Sequence, residues 1–329
     1  MNPTPGDVHV NQPLTDISVA FIQKATNYVA DKVFPNISVS KQSDLYYTYD
    51  RAYFNKSNME VRAPSTESAG AEFKVDATPN YFAPVHALHH DIDDQRRANA
   101  DSVLDLDREA TELLTGQAFI RREKLWVSKY FAGGLWTGDV DGVASAENNT
   151  TTFRQWNDAA SDPINNVRKG KSSVLQSTGF EPNTLVIGQA VWDALVDHPD
   201  IVDRVKYGQT AGGAARVNIE ALKALFEVDN IHIMKAVENT AATGQTATHA
   251  FIGGKKALLC YSAPTPGIMT PTAGYTFSWT GYTGAAGAGQ RIKKFRMENL
   301  SSDRVEIEMA FDQKLVAADL GYFFDTIVA

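Results

Sequence analysis

The sequence lacks several features that would define a class of protein at once. Cys260 is its single cysteine, so no disulfide can form within one chain. No apolar run approaches the roughly 18 residues that a membrane-spanning helix needs, and the first residues have neither the basic start nor the apolar stretch of a signal peptide. The chain is therefore expected in a cytosol, or in a particle assembled there, with folding driven by apolar burial or by partners.

A basic excess is also missing. The formal net charge is −8 and the sequence pI is about 5.4, which argues against a dedicated nucleic-acid-binding protein. A protein that only encloses nucleic acid needs no such excess. Hydrophobic residues make up 43% and charged residues 21% of the chain, a composition typical of globular proteins.

Catalytic motifs are not recognisable. There is no Gly-x-Ser-x-Gly elbow, and AFIGGKKALLCY has His249 and Lys256 where a phosphate loop requires Gly and Ser or Thr. His86 and His90 share one face of a predicted strand, without further ligands at a recognisable spacing. Cys260 lies in an apolar strand, which favours an inert thiol. No catalytic, cofactor-binding or metal-binding residue is predicted, and a paired-carboxylate hydrolase remains an alternative.

The stretch DLDREATELLTGQAFIRREKLWVSKYF, Asp105–Phe131, predicts one uninterrupted helix. Acidic residues fill its first turn, and Arg121 and Arg122 lie in its second half, where the helix dipole favours cations. Leu113 and Leu114 fall on its apolar stripe and are predicted to be core residues. At 1.5 Å per residue the helix would be about 40 Å long, more than a compact domain usually needs.

A long hairpin is predicted ahead of this helix. Leu45–Phe54 and Glu72–Pro79 are typical of strands, and the polar stretch Glu60–Gly70 between them is typical of a loop tip. An isolated hairpin is marginal in water, so this one is expected to lie on something else.

The remaining chain predicts a mixed α/β region and a strand that returns to the long helix. Residues 160–300 alternate helical and strand-like stretches, among them a helix over Asp162–Gly179 and a buried strand at Pro182–Gly188. Apolar residues alternate with polar ones from Val305 to Phe311, which indicates a half-buried strand. The long helix is the natural surface for that strand, so 160–300 would be an insertion in an α+β fold.

Three stretches together resemble the major capsid proteins of tailed bacteriophages. The first is DDQRRANADSVLDLDREATELLTGQAFIRREKLWVSKYF, and the second is PNTLVIGQAVWDALVDHPDIVDRVKYG. The third runs from FIGGKKALLCYSAPTPGIMTPTAGYTFSW to the end, DQKLVAADLGYFFDTIVA. Their order and spacing span residues 60–329.

The resemblance implies the tailed-phage capsid fold, with a defined layout. Residues 1–40 would form an N-terminal arm and 41–85 an extended β-hairpin loop. Residues 86–158 and 301–329 would form a peripheral domain with its spine helix at 105–131, and residues 159–300 an axial domain. In this layout the long helix is a beam in a thin tile, and the extended loop lies across a neighbouring tile.

The implied function is that of a structural subunit, not an enzyme. Hexamers and pentamers of the chain would form an icosahedral head around double-stranded DNA, without sequence-specific binding and without a membrane. Expected partners are a separate scaffolding protein, a portal and decoration proteins, with assembly in the host cytoplasm and residence in the virion. We predict inter-subunit contacts at Arg62, Pro64, Glu67, Arg121 and Arg122.

One alternative function and one feature of some members of the family accompany the resemblance. Within the same fold, the chain could be an encapsulin shell that encloses an enzyme. Some relatives crosslink a loop lysine to a neighbour, and Lys56 and Lys74 lie in the matching region. Lysines in a hairpin are more often solvated, and the sequence indicates no partner residue for a crosslink.

Overall fold

The computed structural model describes residues 23–100, 105–148, 150–207, 217–267, 269–284 and 289–329. The first 22 residues of the predicted arm lie outside the described residues. The helices are α1 Arg51–Phe54, α2 Asp94–Asn99, α3 Leu106–Tyr130, α4 Pro163–Thr178, α5 Gln189–Val196, α6 Pro199–Tyr207, α7 Ile219–Phe226 and α8 Thr280–Thr283.

The strands form two main sheets and three small two-stranded ladders. The strands are β1 Asn36–Val39, β2 Ser43–Leu45, β3 Thr48–Tyr49, β4 Val75–Asp76, β5 Asn80–Phe82, β6 Val85–Asp93, β7 Gly138–Val143, β8 Thr152–Arg154, β9 Thr184–Gly188, β10 Asn230–Met234, β11 Val237–Asn239, β12 His249–Phe251, β13 Ala257–Cys260, β14 Gly274–Trp279, β15 Gln290–Met297, β16 Ser302–Leu315 and β17 Gly321–Asp325.

The first sheet is organised around β16. Strands β6, β14 and β15 each pair with β16 in antiparallel register, and β1 pairs with β14 in parallel register. One face of β16 carries Val305, Ile307, Met309 and Phe311, which pack with residues of α3 in one apolar cluster. The predicted C-terminal strand and its position on the long helix are therefore confirmed.

Helix α3 begins where the sequence predicts. The Asp105 side chain accepts a hydrogen bond from the backbone N–H of Arg108, so it caps the first turn. Ala110, Leu114 and Ala118 face β16. Leu113, however, is 48% exposed, so its assignment to the core is wrong. At 100° per residue, only one of two consecutive leucines can point at the centre of a sheet.

The second sheet has the strand order β10, β9, β13, β17, β7, β8. Strand β9 is buried along its whole length, as predicted for this region. Helix α4 begins after Asp162, which caps the Asn165 N–H, and ends at Gly179 with a φ of 80°. Apolar residues of α4, α5, α6 and α7 pack with the sheet in a single cluster.

Backbone pairing crosses the predicted domain boundaries at both ends. Strands β14 and β15, within 159–300, pair with β16. Strand β7, within 86–158, pairs with β17, which in turn pairs with β13. The predicted domain boundaries followed stretches that are contiguous in the sequence, whereas these pairings join residues far apart in the chain. The division into peripheral and axial domains stays a prediction.

The extended loop is a hairpin at its base only. Strand β2 pairs with β5 and β3 with β4, both antiparallel. The predicted strand Leu45–Phe54 is wrong at its end, because Arg51–Phe54 forms α1. Asp50 accepts a hydrogen bond from the Ala52 N–H at 2.9 Å, and this cap turns the chain out of the strand.

Candidate assembly interface

The extended loop has no core of its own in the subunit. Every residue from Asp50 to Thr78 is exposed. Beyond β3 and β4, the backbone hydrogen bonds found in the loop are local turns, such as the Thr66 N–H to the Ala63 carbonyl. Exposed, unpaired extended backbone is a template for pairing with another chain. The loop therefore has the properties of a segment that completes its contacts outside the subunit.

Apolar side chains on this loop point into solvent. Met59 is 95% exposed and Val61 is 102% exposed. Burying a side chain of this size contributes about 1.5–3 kcal/mol, so a partner surface would gain from covering both. The sequence reasoning missed these two residues, although an apolar pair where the otherwise polar tip begins was a visible signal. Other large apolar side chains of the loop region are also exposed: Leu45, Tyr47, Tyr53, Phe54, Phe73, Val75 and Phe82.

Three aromatic rings stiffen the base of the loop. Ring centroids of Tyr49, Phe54 and Phe73 lie 5.7 to 6.2 Å apart. Such contacts are typical of stabilising aromatic pairs, and here they join α1 to the returning chain. An opening of about 640 Å³ lies further out, lined in part by Tyr53, Lys56 and Glu72. The aromatic rings thus hold α1 against the returning chain at the base of the loop.

The predicted contact residues at the tip are placed where a neighbour could reach them. Arg62, Pro64 and Glu67 are all exposed. The Arg62 Nε donates a hydrogen bond to the Thr66 carbonyl, so the tip is a closed turn. Ser65 has a φ of 62°, the left-handed conformation that such a turn requires. Contacts of these side chains with a second subunit stay a prediction.

The two predicted arginines of the long helix differ from each other. Arg121 is exposed, and together with burial it holds the pKa of His86 below its usual value, burial being the larger cause. Arg122 is only 7% exposed. Its Nε lies 2.7 Å from Asp31 Oδ1, and its guanidinium lies 5.0 Å from the Phe311 ring centroid. The charge of Arg122 is therefore already engaged inside the subunit, and its inter-subunit contact stays a prediction.

Metal-binding and cysteine chemistry find no support in the described ranges. No three His, Cys, Asp or Glu side chains there converge as a metal site would require. His86 pairs with Met309 and His90 with Val305, so the two share one face of β6 as predicted, whereas His89, opposite Glu306, lies on the other face. Burial raises the pKa of the Cys260 thiol well above its usual value, which disfavours the reactive thiolate.

A buried serine and histidine come close but do not form a nucleophile pair. Ser161 Oγ lies 3.0 Å from His198 Nε2. The same hydroxyl donates to the Asp158 carbonyl at 2.7 Å, so the histidine must donate to the serine rather than take its proton. Both side chains are closed off from solvent. Their arrangement is that of a buried structural contact, in which His198 Nδ1 has no hydrogen-bond partner among the described residues.

A group of carboxylates provides the nearest approach to a paired-acid site. Burial, its largest cause, raises the pKa of Asp139, with smaller contributions from Asp141 and Asp325. Lys256 Nζ lies 3.3 Å from Asp325 Oδ2 and partly neutralises the group. These carboxylates lie on the paired strands β7 and β17, and the opening of about 640 Å³ lies elsewhere, in the extended loop.

Comparison with known proteins points to one family. Residues 141–293 match the family described as phage major capsid protein E. The chain is 24% identical over 320 residues to the major capsid protein of Burkholderia phage BcepMu. It is 26% identical over 324 residues to that of Pseudomonas phage JBD67. These alignments cover 97% of this chain and 96% and 97% of the relatives. Over almost its whole length the chain is therefore similar to phage major capsid proteins.

Solved structures agree on the capsid fold. A phage-related protein from Bordetella bronchiseptica RB50 superposes with a TM-score of 0.67 at 21% identity, covering 93% of this chain and 94% of that one. The mature capsid protein of bacteriophage PhiM1 gives 0.60 at 15% identity, covering 97% and 92%. An encapsulin from Synechococcus elongatus PCC 7942 gives 0.55 at 10% identity, covering 97% and 96%. The predicted α+β fold, shared by phage capsids and encapsulins, is confirmed.

Helix composition adds one further finding. None of the helices in the part of the chain that the structure describes is both long and apolar enough to span a membrane.

Proposed function

We propose that this capsid protein assembles, as hexamers and pentamers, into an icosahedral head that encloses double-stranded DNA. The observation that carries the proposal is the extended loop, exposed from Asp50 to Thr78 and bearing solvent-facing Met59 and Val61. A monomer gains nothing from such a loop. In a shell, the loop of each subunit could lie on a neighbour while the loop of another subunit lies on it. A loop that joins two subunits in this way is called a strap below.

The length of the extended loop supports its role as an inter-subunit strap. Ten extended residues span about 33 Å, so the two limbs that carry the tip Glu60–Gly70 would have this reach when extended. That length is enough to cross onto a neighbouring subunit. Exposed residues at the tip, Arg62, Pro64 and Glu67, would then lie at the inter-subunit contact, with Arg121 on the long helix.

Enclosure of DNA needs no specific binding site. The acidic chain, with its net charge of −8, would neither condense DNA nor read its sequence. Filling the head would therefore rely on other proteins, and we propose a portal for this step. We further propose a separate scaffolding protein, decoration proteins on the shell and assembly in the host cytoplasm. No enzymatic role is part of the proposal.

The test is the size and content of the particles that the expressed chain forms. Light scattering should give a megadalton mass, and negative-stain microscopy should show shells. A soluble hydrolase would instead have the mass of a small oligomer. Absorbance at 260 and 280 nm, with nuclease treatment of opened particles, separates enclosed nucleic acid from enclosed protein.

The same experiment addresses the encapsulin alternative. Shells that contain only a single enzyme and no nucleic acid would favour it over the phage head. Uniform shells of one size from the chain expressed alone would count against the separate scaffolding protein. Denaturing gel electrophoresis of the particles reports on Lys56 and Lys74, because a covalent crosslink would shift the chain to ladders of higher mass.

A further inference from the structure

Glu123 joins the end of the N-terminal arm to α3. Its carboxylate accepts hydrogen bonds from the backbone N–H of Val29, at 3.1 and 3.0 Å, and from that of Ala30, at 2.9 Å. These N–H groups begin a turn that the Lys32 N–H closes onto the Val29 carbonyl. The first N–H groups of a turn lack partners within it, so Glu123 supplies the acceptor.

The carboxyl group is buried at this contact. Glu123 is 0% exposed, and apolar residues of the arm segment Tyr28–Phe34 bury themselves around it. In the described ranges no ion pair joins Glu123 to a cation, since neighbouring Arg122 pairs with Asp31. A buried carboxylate without a cationic partner is costly to keep ionised, whereas the neutral acid is not.

Some groups around Glu123 raise the pKa of its carboxyl and others lower it. Burial is the largest cause and raises the pKa of Glu123 to about 7, against the lowering effect of the Ala30 and Val29 N–H groups. Asp31 raises it and Lys32 lowers it. Tyr28 also faces the group, and the nearby strand β10 carries His232, whose pKa is lowered mainly by burial and also by Lys32.

We propose that Glu123 makes the docking of the arm segment Tyr28–Phe34 onto α3 depend on pH, with the arm held more tightly at acidic than at neutral pH. When the arm detaches, Glu123 meets water and loses its proton more easily. The docked state therefore binds the proton that the detached state releases. Docking is strongest at low pH and weakens as the pH rises, until both states are ionised.

Hydrogen exchange of the purified full chain tests the proposal. The readout is the protection factor of peptides covering residues 28–34, corrected for the intrinsic pH dependence of exchange. We expect protection to fall by about tenfold per pH unit between the ordinary carboxyl pKa of 4.5 and about 7. Glu123→Gln keeps an acceptor oxygen without a titrating group, so its protection should not change with pH.

Glu109→Gln is the matched control. Glu109 lies exposed on the same helix, so this variant should keep the pH dependence of the unmodified chain. Replacing His232 by Asn should also keep it, and loss of the dependence there would overturn the assignment to Glu123. Protection of residues 28–34 that is flat or rises with pH in the unmodified chain would overturn the proposal.

A second measurement does not depend on whether Glu123→Gln folds. Carbon-13 labelling of glutamate allows the Glu123 carboxyl to be titrated directly in the folded chain. A midpoint near 7 supports the proposal, and one near 4.5 contradicts it. Both measurements concern docking of the arm within one chain, so their outcome is independent of whether the particles contain DNA.

Discussion

Leu113 and Leu114 are consecutive on α3 and face different surroundings. Leu114 is 2% exposed and packs on β16, whereas Leu113 is 48% exposed. We expect Leu114→Asp to abolish the folded subunit, because an unpaired buried carboxylate costs several kcal/mol, comparable with the stability of a whole domain. Leu113→Asp should cost about 0.5–1 kcal/mol, mainly through helix propensity.

Soluble yield and urea unfolding of the two variants measure this difference. The pair is matched in position, chemistry and helix context, so only burial separates them. Equal losses in both variants would mean that the helix faces β16 differently from the arrangement described above. Equal tolerance would mean that the apolar stripe is not part of the core.

The same residues mark what sequence periodicity can and cannot predict. Apolar spacing correctly predicted that α3 has a buried stripe, because a 3.6-residue period is a local property. It could not choose between two adjacent leucines at the edge of that stripe. The inter-subunit contact predicted at Arg122 took no account of burial within the subunit, where the side chain is only 7% exposed. Asp31, which pairs with Arg122, lies far away in the sequence.

At the scale of elements, long and regular segments were predictable. Helix α3 and strand β16 were found within a few residues of their predicted ends, because caps and strict alternation are written in adjacent residues. Helix α1 was missed, since Arg51–Phe54 is rich in aromatics and the effect of the Asp50 cap outweighs their strand preference.

Two glycines on different elements give a stability prediction. A Cβ at Gly116, within α3, would meet nothing within 4 Å, whereas a Cβ at Gly142 on β7 would collide with the Thr326 carbonyl oxygen. We expect Gly116→Ala to stabilise the subunit by up to about 1 kcal/mol through helix propensity. Gly142→Ala should destabilise it by about 1–3 kcal/mol, because backbone must move.

Thermal unfolding of both variants under one buffer condition tests the pair. Each change adds a single methyl group, so the two variants control for one another. A stabilising Gly142→Ala would contradict the close approach of β7 to the chain after β17. A strongly destabilising Gly116→Ala would mean that this face of α3 is covered by an element not described above.

At the scale of the whole molecule, strand pairing was beyond the reach of sequence patterns. Asn36 pairs with Thr276, and Thr276 in turn with Gln313, so one sheet collects strands from both ends and the middle of the chain. Nothing local encodes such pairings. The overall layout was instead predicted from a resemblance to a family over most of the chain. Members of a family share a fold, so the resemblance implies long-range pairings that local patterns cannot predict.

The extended loop allows assembly to be separated from folding. Residues Glu60–Gly70 are fully exposed and contribute nothing to the apolar clusters of the subunit. Replacing them by an Asn-Gly turn should therefore leave the free energy of unfolding nearly unchanged. Because a shell repeats every inter-subunit contact many times, loss of a weak one should prevent closure or make shells fragile.

Met59→Ser with Val61→Ser sharpens the test without shortening the chain. Both side chains are almost completely exposed in the subunit, so folding should be unaffected. If a neighbour covers them, the double variant loses about 1.5–3 kcal/mol per contact for each side chain. Met269→Ser is the matched control, since Met269 is an exposed methionine outside the loop. Circular dichroism reports folding, and light scattering with electron microscopy reports shells.

Intact shells of normal stability from the trimmed chain would show that the loop is not the strap proposed above, whereas failure to fold would place its tip in a core. Normal shells from the double variant alone would leave the polar tip, with Arg62 and Glu67, as the part of the strap that makes the contact.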